Sequence, residues 1–382
     1  MDCSHKVLLL GASGSIGGQT IDIINEANGK FILTAFSVGK NYKKAQEILK
    51  KFPSVKDVYV ISEEHAEKLK KEFPNVKFYS GKKGLAKLTR KADYTMCVNA
   101  LVGFAGLEPS IIALKKNKIL CLANKEALVT GGQIINLLLG SGKGKLYPID
   151  SEHVALAKCL KACKPDEVKT LLITASGGAL RNVPIEELDN VKAEQALQHP
   201  TWKMGNKITI DCATMMNKGF EIIEASYLYG YGLDQIQVLM HDESLIHSAV
   251  ELKDGTIIAD YGKPDMHKPI KWAMYEGEVE NDVVKVKSLK EFKDCHFREY
   301  DSKRYPCTEL AKQALELGPA KMIALNAANE VLVNKYLNNQ IKFTDIAKIT
   351  QIMMDFVPNF QYVALPLIKF IDRTVRKETE GC

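Results

Sequence analysis

An α/β fold is predicted: a parallel sheet in the first part of the chain, a mixed α+β region in the middle and helices at the end. Three observations carry this. Short apolar runs alternate with amphipathic stretches from Lys6 to Asp150, the pattern of parallel strands with helices returning over both faces. The first run passes directly into a glycine-rich turn, Gly11-Ala12-Ser13-Gly14-Ser15-Ile16-Gly17, and then a helical pattern. From Pro306 onward the apolar spacing is helical throughout.

Composition bounds the class. A chain of 382 residues is long enough for two or three domains, and 46% hydrophobic with 26% charged residues is ordinary for a globular protein. The net charge of +6 comes largely from lysine doublets such as Lys43-Lys44 and Lys70-Lys71 on helix-like stretches. These read as solvated faces. No dense basic cluster with interleaved aromatics is present, so no nucleic-acid partner is expected. A mildly positive field suits an anionic substrate. No apolar run is long enough to cross a membrane. Met1 to Lys6 runs straight into the first strand, which leaves no room for a signal peptide, and nine cysteines occur without a CxxC pair. A cytoplasmic setting with free thiols is the expectation.

Lys6–Leu10 reads as a buried strand and Gly18–Asn25 as a helix. The turn between them has GxxGxxG spacing rather than GxGxxG. Its glycines let the backbone approach a pyrophosphate, and the helix start offers N–H groups to it, which makes a Rossmann-like dinucleotide site. The alternative is a glycine turn with no cofactor. The next strand, Phe31–Val38, ends in Gly39-Lys40-Asn41 with no acid for a ribose 2′-hydroxyl. A cation and an amide suit a 2′-phosphate, hence NADP. Val58–Ile61, Tyr94–Asn99 and Ile119–Leu122 continue as strands, with a helix at Glu63–Glu72. At the ends of the last two strands lie Asn99 to Gly103 and Ala123-Asn124-Lys125-Glu126. Lys125 is either half of a surface ion pair or a contact to substrate or nicotinamide.

Leu146–Asp150 closes this region in the hexapeptide Pro148-Ile149-Asp150-Ser151-Glu152-His153. In an extended segment Asp150 and Glu152 face the same side and offer two hard oxygen ligands to one divalent cation. Alone, the hexapeptide fits an exposed loop with two solvated acids better than a cation site. Leu171–Thr174 is a strand ending in Ser176-Gly177-Gly178, a small nest for an anion. His199-Pro200-Thr201-Trp202-Lys203-Met204-Gly205 is either a core turn or a lid whose indole covers a ligand. Asn217 and Lys218 can bind phosphate oxygens, and Glu221 can supply a third carboxylate. Gln235–His247 and Gly255–Asp260 read as strands, Tyr261–Pro269 as a loop, and Thr308–Leu317, Lys321–Asn338, Phe343–Asp355 and Ala364–Lys377 as helices. The predicted domains are 1–150 (cofactor), 151–275 (catalytic and dimerising), a linker at 276–303, and a helical domain at 304–382.

GASGSIG, LANKE, PIDSEH, ASGGALR, HPTWKMG, CATMMNKGFE, YGKPDM and ALNAANE occur in an order that resembles the 1-deoxy-D-xylulose 5-phosphate reductoisomerase family over essentially the whole chain. The resemblance implies conversion of 1-deoxy-D-xylulose 5-phosphate to 2-C-methyl-D-erythritol 4-phosphate, with NADPH and a divalent cation. A skeletal rearrangement, by retro-aldol and aldol steps, precedes hydride delivery to an aldehyde. It implies a metal triad of Asp150, Glu152 and Glu221, and three carboxylates favour Mg²⁺ or Mn²⁺ over Zn²⁺. Lys125 would lie between cofactor and substrate. Ser151 would contact a substrate hydroxyl, and Ser176, Cys212, Asn217 and Lys218 would hold the phosphate. His199, Trp202 and Met204 belong to the closing loop. Gly11, Ser13, Gly14, Ser15, Ile16, Gly39, Lys40, Asn41, Asn124, Glu126 and Gly205 match the NADPH site. A homodimer is implied as well. Two positions depart from the family pattern. Cys212 stands where serine is usual, and Asp242-Glu243 follows His241 where Pro-Gln is usual. These departures keep open another NADP-dependent oxidoreductase of a related sugar or polyol phosphate. A non-catalytic NADP-binding sensor is the remaining alternative.

Overall fold

The structure, a computed structural model, describes residues 4–202, 204–278 and 295–382. The chain divides into two compact units. The first holds the residues through Ala127, then Ile134–Asp150 and a stretch from Met266; the second holds Leu128–Gln133, Ser151–Asp265 and the C-terminal part.

The first unit is built on seven strands: β1 (His5–Leu10), β2 (Phe31–Val38), β3 (Asp57–Val60), β4 (Lys77–Tyr79), β5 (Met96–Asn99), β6 (Ile119–Leu122) and β7 (Lys145–Pro148). The crossovers run through α1 (Ser15–Glu26), α2 (Tyr42–Lys51), α3 (Glu63–Glu72), α4 (Gly84–Lys91), α5 (Leu107–Lys115) and α6 (Lys125–Gly140), and one later helix, α11 (His267–Met274), joins this unit. The strand order is β4-β3-β2-β1-β5-β6-β7, with every pairing parallel. Val7 to Leu10 are wholly buried, as a central strand covered on both faces must be. Successive strands run outward from β1 in one direction through β2 and in the other through β5. That reversal opens a crevice beyond the carboxyl ends of β1 and β5, the general place for a ligand in an open α/β sheet.

The second unit contains α7 (Ser151–Lys161), β8 (Val168–Ala175), α8 (Ala193–Ala196), α9 (Asn206–Ala213), α10 (Met216–Tyr229), β9 (Ile236–Met240), β10 (Ile246–Leu252), β11 (Ile257–Tyr261) and β12 (Arg298–Glu299). Four C-terminal helices follow, α12 (Pro306–Leu317), α13 (Pro319–Leu337), α14 (Asp345–Phe356) and α15 (Leu365–Gly381). The sheet order is β11-β10-β8-β9-β12, with β8 and β9 parallel and the other pairs antiparallel. The four predicted helices are present, each within a few residues of its expected bounds. They share the compact unit of the mixed sheet. Gly219 on α10 packs so closely on α12 that a Cβ there would lie 2.5 Å from the Ala311 Cβ.

Several expectations need correction. Gln235–His247 is not one strand, because His241 folds the chain back: its Nε2 accepts hydrogen bonds from the backbone N–H of Leu245 (3.0 Å) and Ile246 (3.1 Å), and Ser244 takes φ 53°. Tyr261–Pro269 is not all loop. Tyr261 ends β11, and Pro269 lies in the first turn of α11, where its missing N–H costs nothing. Of the expected linker 276–303, residues 279–294 lie outside the described residues, and 298–299 form β12 against β9. Asp150 and Glu152 do not lie in an extended segment. Ser151 opens α7, so Glu152 sits in the first helical turn, where a carboxylate suits the positive end of the helix dipole.

Candidate active site

Of the residues matched to the NADPH site, Gly11 to Ile16 follow β1 and Gly39 to Asn41 follow β2 in the first unit. Gly11 follows β1 with φ 85°, and a Cβ on it would lie 2.4 Å from the Ala100 carbonyl oxygen. A Cβ on Gly17 would come within 2.3 Å of the Gly11 oxygen. These two glycines let the turn fold tightly under β5. Gly14 precedes α1, which has no side-chain cap and no acid in its first turn. Ser13, Gly14 and Ser15 are exposed and Ile16 is half-buried. Backbone N–H groups at this end are presented for an anion. Gly39, Lys40 and Asn41 follow the neighbouring strand β2 and are exposed. The Asn41 Oδ1 caps α2 by accepting from the Lys44 N–H at 3.1 Å.

At the end of β6 the chain is tightly tied. Asn124 is buried; its Oδ1 accepts from the Ala127 N–H (3.1 Å), and its Nδ2 donates to Gly103 O (2.8 Å) and to Glu126 Oε2 (3.0 Å). Lys125, only 7% exposed, donates to Asp150 Oδ2 at 2.8 Å. Of the two readings of Lys125, a surface ion pair is excluded by this burial.

The second unit supplies a charged cluster. Lys218, in the first turn of α10, places its Nζ 2.8 Å from Glu152 Oε1 and 2.5 Å from Glu221 Oε2. Asn217 Nδ2 donates to the other oxygen of Glu221 at 2.5 Å. The spacings i+3 and i+4 put Asn217, Lys218 and Glu221 on one helix face. Glu221 is fully buried, where a carboxylate persists only with such partners. Ser151 Oγ donates to Glu152 Oε2 at 2.6 Å. Oxygens of Asp150, Glu152 and Glu221 lie within 4.8 Å of one another. Three carboxylates at that spacing repel strongly, and two lysines offset only part of their charge. An all-oxygen donor set of this size fits a hard divalent cation such as Mg²⁺ or Mn²⁺.

A second group lines the loop after β8. Ser176 Oγ lies 3.2 Å from His199 Nε2. His199 Nδ1 accepts from the N–H of Trp202 at 3.0 Å and of Thr201 at 3.3 Å, so its proton is on Nε2 and points at Ser176. Burial, and then the charges of Arg181 and Lys218, lower its pKa to about 4. The imidazole is therefore a neutral donor at pH 7. Trp202 is half-buried, its ring 6.2 Å from that of His247; Met204 is half-buried and Gly205 exposed at the start of α9. Gly177 and Gly178 both have positive φ. A Cβ on Gly178 would meet the Cys212 carbonyl oxygen at 2.6 Å, so the Ser176 loop lies directly against α9 at Cys212.

The sequence reading missed three supports of this site. Arg181 Nη1 donates to Ser176 O at 3.0 Å and its Nε approaches Asp242 Oδ2 at 3.5 Å. Asp242 also accepts from Arg298, and Glu243 bridges His241 (3.1 Å) and His296 (2.7 Å). The departing pair thus anchors the β9–β10 turn. Met215, between α9 and α10, takes a left-handed φ of 56° without being glycine, and its carbonyl accepts from Thr308 Oγ1 at 3.0 Å. Last, Asn329 of the ALNAANE motif donates to the buried Asp211 at 2.8 Å across 118 residues. No local sequence signal marks such contacts.

A nucleotide-binding parallel sheet and an acidic cation cluster on one chain define an NADP-dependent, metal-using oxidoreductase. Family models agree on which one. That for 1-deoxy-D-xylulose 5-phosphate reductoisomerase matches residues 7–132, that for its C-terminal domain 146–229, and that for the DXP reductoisomerase C-terminal domain 261–378. The reductoisomerase of Geobacillus sp. (strain WCH70) is 41% identical over 373 residues, 97% of this chain and 98% of that protein. That of Listeria welshimeri is 39% identical over 97% of this chain and 98% of its own. Among solved structures, a DOX-P reductoisomerase in complex with NADPH, fosmidomycin and magnesium superposes with a TM-score of 0.90 at 33% identity, over 98% of this chain and 97% of that one. The Zymomonas mobilis enzyme in complex with NADPH gives 0.89 at 32%, over 99% of both chains. This chain belongs to the 1-deoxy-D-xylulose 5-phosphate reductoisomerase family.

Proposed function

We propose that the chain converts 1-deoxy-D-xylulose 5-phosphate to 2-C-methyl-D-erythritol 4-phosphate, with NADPH and a divalent cation, in mevalonate-independent isoprenoid synthesis. Family membership supports the reaction; the observation that carries the site is the Asp150, Glu152 and Glu221 cluster. These three carboxylates would hold Mg²⁺ or Mn²⁺, which supplies charge stabilisation to substrate oxygens. NADPH supplies the hydride, and Gly11, Ser13, Gly14, Ser15, Ile16, Gly39, Lys40 and Asn41 would hold it, with Asn124, Glu126 and Gly205 completing its surroundings.

The side chains divide the remaining work. Lys125 holds Asp150 through the 2.8 Å ion pair and lies between cofactor and substrate. Ser151 orients a substrate hydroxyl. Ser176, Cys212, Asn217 and Lys218 bind the phosphate. His199 keeps Ser176 oriented as a neutral donor, while Trp202 and Met204 exclude water. We place residues 1–150 as the cofactor region and 151–275 as the catalytic and dimerising region, with 304–382 as a helical support. A cytoplasmic homodimer is the proposed working form; no described helix is long and apolar enough to cross a membrane. The test is NADPH oxidation with 1-deoxy-D-xylulose 5-phosphate, with Mg²⁺ or Mn²⁺ and with EDTA. Absence of oxidation under every metal condition would overturn the proposal.

A further inference from the structure

Apart from the groups assigned above, the second unit contains a cleft of about 370 Å³. Its apolar lining includes Leu188, Cys307, Leu310 and Phe343, each less than 7% exposed. Its other lining is cationic. Lys303 and Lys348 are exposed, and Arg304 is half-buried. The Arg304 guanidinium donates to the carbonyls of Leu180 (3.1 Å) and Val183 (2.7 Å), which fixes its position. Lys348 contacts Thr344 Oγ1 at 3.1 Å and approaches Asp345 at 3.8 Å. No carboxylate is among the lining residues. The volume falls at the lower end of small-molecule sites, which typically combine an apolar body with a few convergent polar groups.

We propose that this cleft binds a small amphiphilic anion, with an apolar body of roughly eight to ten carbons and a phosphate or carboxylate head. The body covers Leu188, Leu310 and Phe343, and the head meets Lys303, Arg304 and Lys348. Charge complementarity selects the class. Arg304 is held by two carbonyls and Lys348 lies 3.8 Å from Asp345, and an anion adds charge-assisted hydrogen bonds to Lys303, Arg304 and Lys348 that a neutral ligand does not make.

The cleft also reaches the proposed site through one residue. Thr214 lines it and is buried. The Thr214 hydroxyl donates to Ile210 O at 3.2 Å and accepts from the Met216 N–H at 3.3 Å, bracing the left-handed corner at Met215. The next two residues are Asn217 and Lys218. An occupant pressing on Thr214 therefore acts on the corner that presents the phosphate-binding pair, a consequence that rests on the function proposed above, whereas binding itself does not.

The experiment titrates the full-length protein with the fluorescent probe 1-anilinonaphthalene-8-sulfonate and competes it with decyl phosphate, decanoate, decanol or inorganic phosphate. One saturable site is expected, emptied by decyl phosphate or decanoate but not by decanol or inorganic phosphate at equal concentration; the two effective competitors separate a phosphate from a carboxylate head. Ala347→Trp fills the cleft and Lys348→Glu reverses a charge, and each is expected to weaken binding by about tenfold. Lys218→Ala should leave it unchanged. Non-saturable binding, equal competition by decanol, or wild-type affinity in Lys348→Glu overturns the proposal. So does loss of the competition in Lys218→Ala, which would put the probe in the substrate phosphate site. Should Ala347→Trp misfold by circular dichroism, Lys348→Glu and Lys303→Glu decide alone. Saturating decyl phosphate should also shift the KM for 1-deoxy-D-xylulose 5-phosphate, and Lys348→Glu should abolish the shift. An unchanged KM with probe bound refutes the coupling.

Discussion

In the first unit the groups proposed to face a ligand are backbone N–H groups at the start of α1, beside Gly11, Gly14 and Gly17; in the second they are the charged ends of Glu152, Lys218 and Glu221. The first arrangement needs absent side chains and a helix start, all within seven consecutive residues. The second needs residues 66 apart to converge, since Lys218 must reach Glu152. Backbone recognition is therefore sensitive to added volume, and the carboxylate cluster to removed charge.

The largest effect is expected from that cluster. Glu221→Gln or Asp150→Asn should lower kcat by on the order of a thousandfold while NADPH affinity measured by fluorescence stays near wild type. Parallel loss of NADPH binding in both variants would show that the two regions are not separable in this way. Next comes Gly11→Val, whose Cβ would meet the Ala100 oxygen at 2.4 Å. It should weaken NADPH binding by more than about tenfold and lower Tm, with the metal dependence of residual activity retained. Wild-type affinity for NADPH in this variant would refute the close-approach argument.

A smaller effect concerns Lys40. Lys40→Ala should raise KM for NADPH about tenfold and leave KM for NADH unchanged; an equal rise for both cofactors would remove the 2′-phosphate assignment. His199 sets a pH effect. Its folded pKa, lowered to about 4 from 6.5, means the unfolded chain takes up a proton first as pH falls. Stability should thus decline between about pH 6.5 and 4 on account of this group and be unaffected by it above that window. Urea midpoints at pH 7 and pH 5 should differ less in His199→Gln than in wild type; an identical difference would contradict the neutral-donor reading. The smallest effect is expected from Cys212→Ser, which adds a stronger donor beside Ser176. Affinity for the phosphorylated substrate should hold or improve, and a many-fold fall in kcat/KM would exclude Cys212 from the phosphate subsite.

Legibility in the sequence follows the same divide. β1, β2, β5 and β6 were readable as short apolar runs because strands buried on both faces must be apolar throughout. The glycine turn was readable because its constraint is local. Asp150 and Glu152 were recognised as a pair, yet their geometry was misjudged: Ser151 starts a helix, and two-residue alternation does not apply there. The break at His241 was hidden because both flanking segments are β-like, and the turn is marked by the ring nitrogen accepting two backbone N–H groups and by the left-handed φ of Ser244. Arg181, Met215 and Asn329 gave no signal, since their partners lie on other elements.

The hydrogen bond from Asn329 to Asp211 has a consequence for inheritance. The C-terminal helices look like a detachable module in sequence, but they carry Asn329 to Asp211 and Thr308 to Met215. A recombination that replaced the last helices with those of a distant relative would have to bring matching partners for both, or leave a buried carboxylate, held by Lys207, without its Asn329 donor and a strained corner unsupported. These two stretches are therefore expected to be exchanged as one block between lineages, and chimaeras cut between α10 and α12 to lose solubility before they lose any residue that meets substrate.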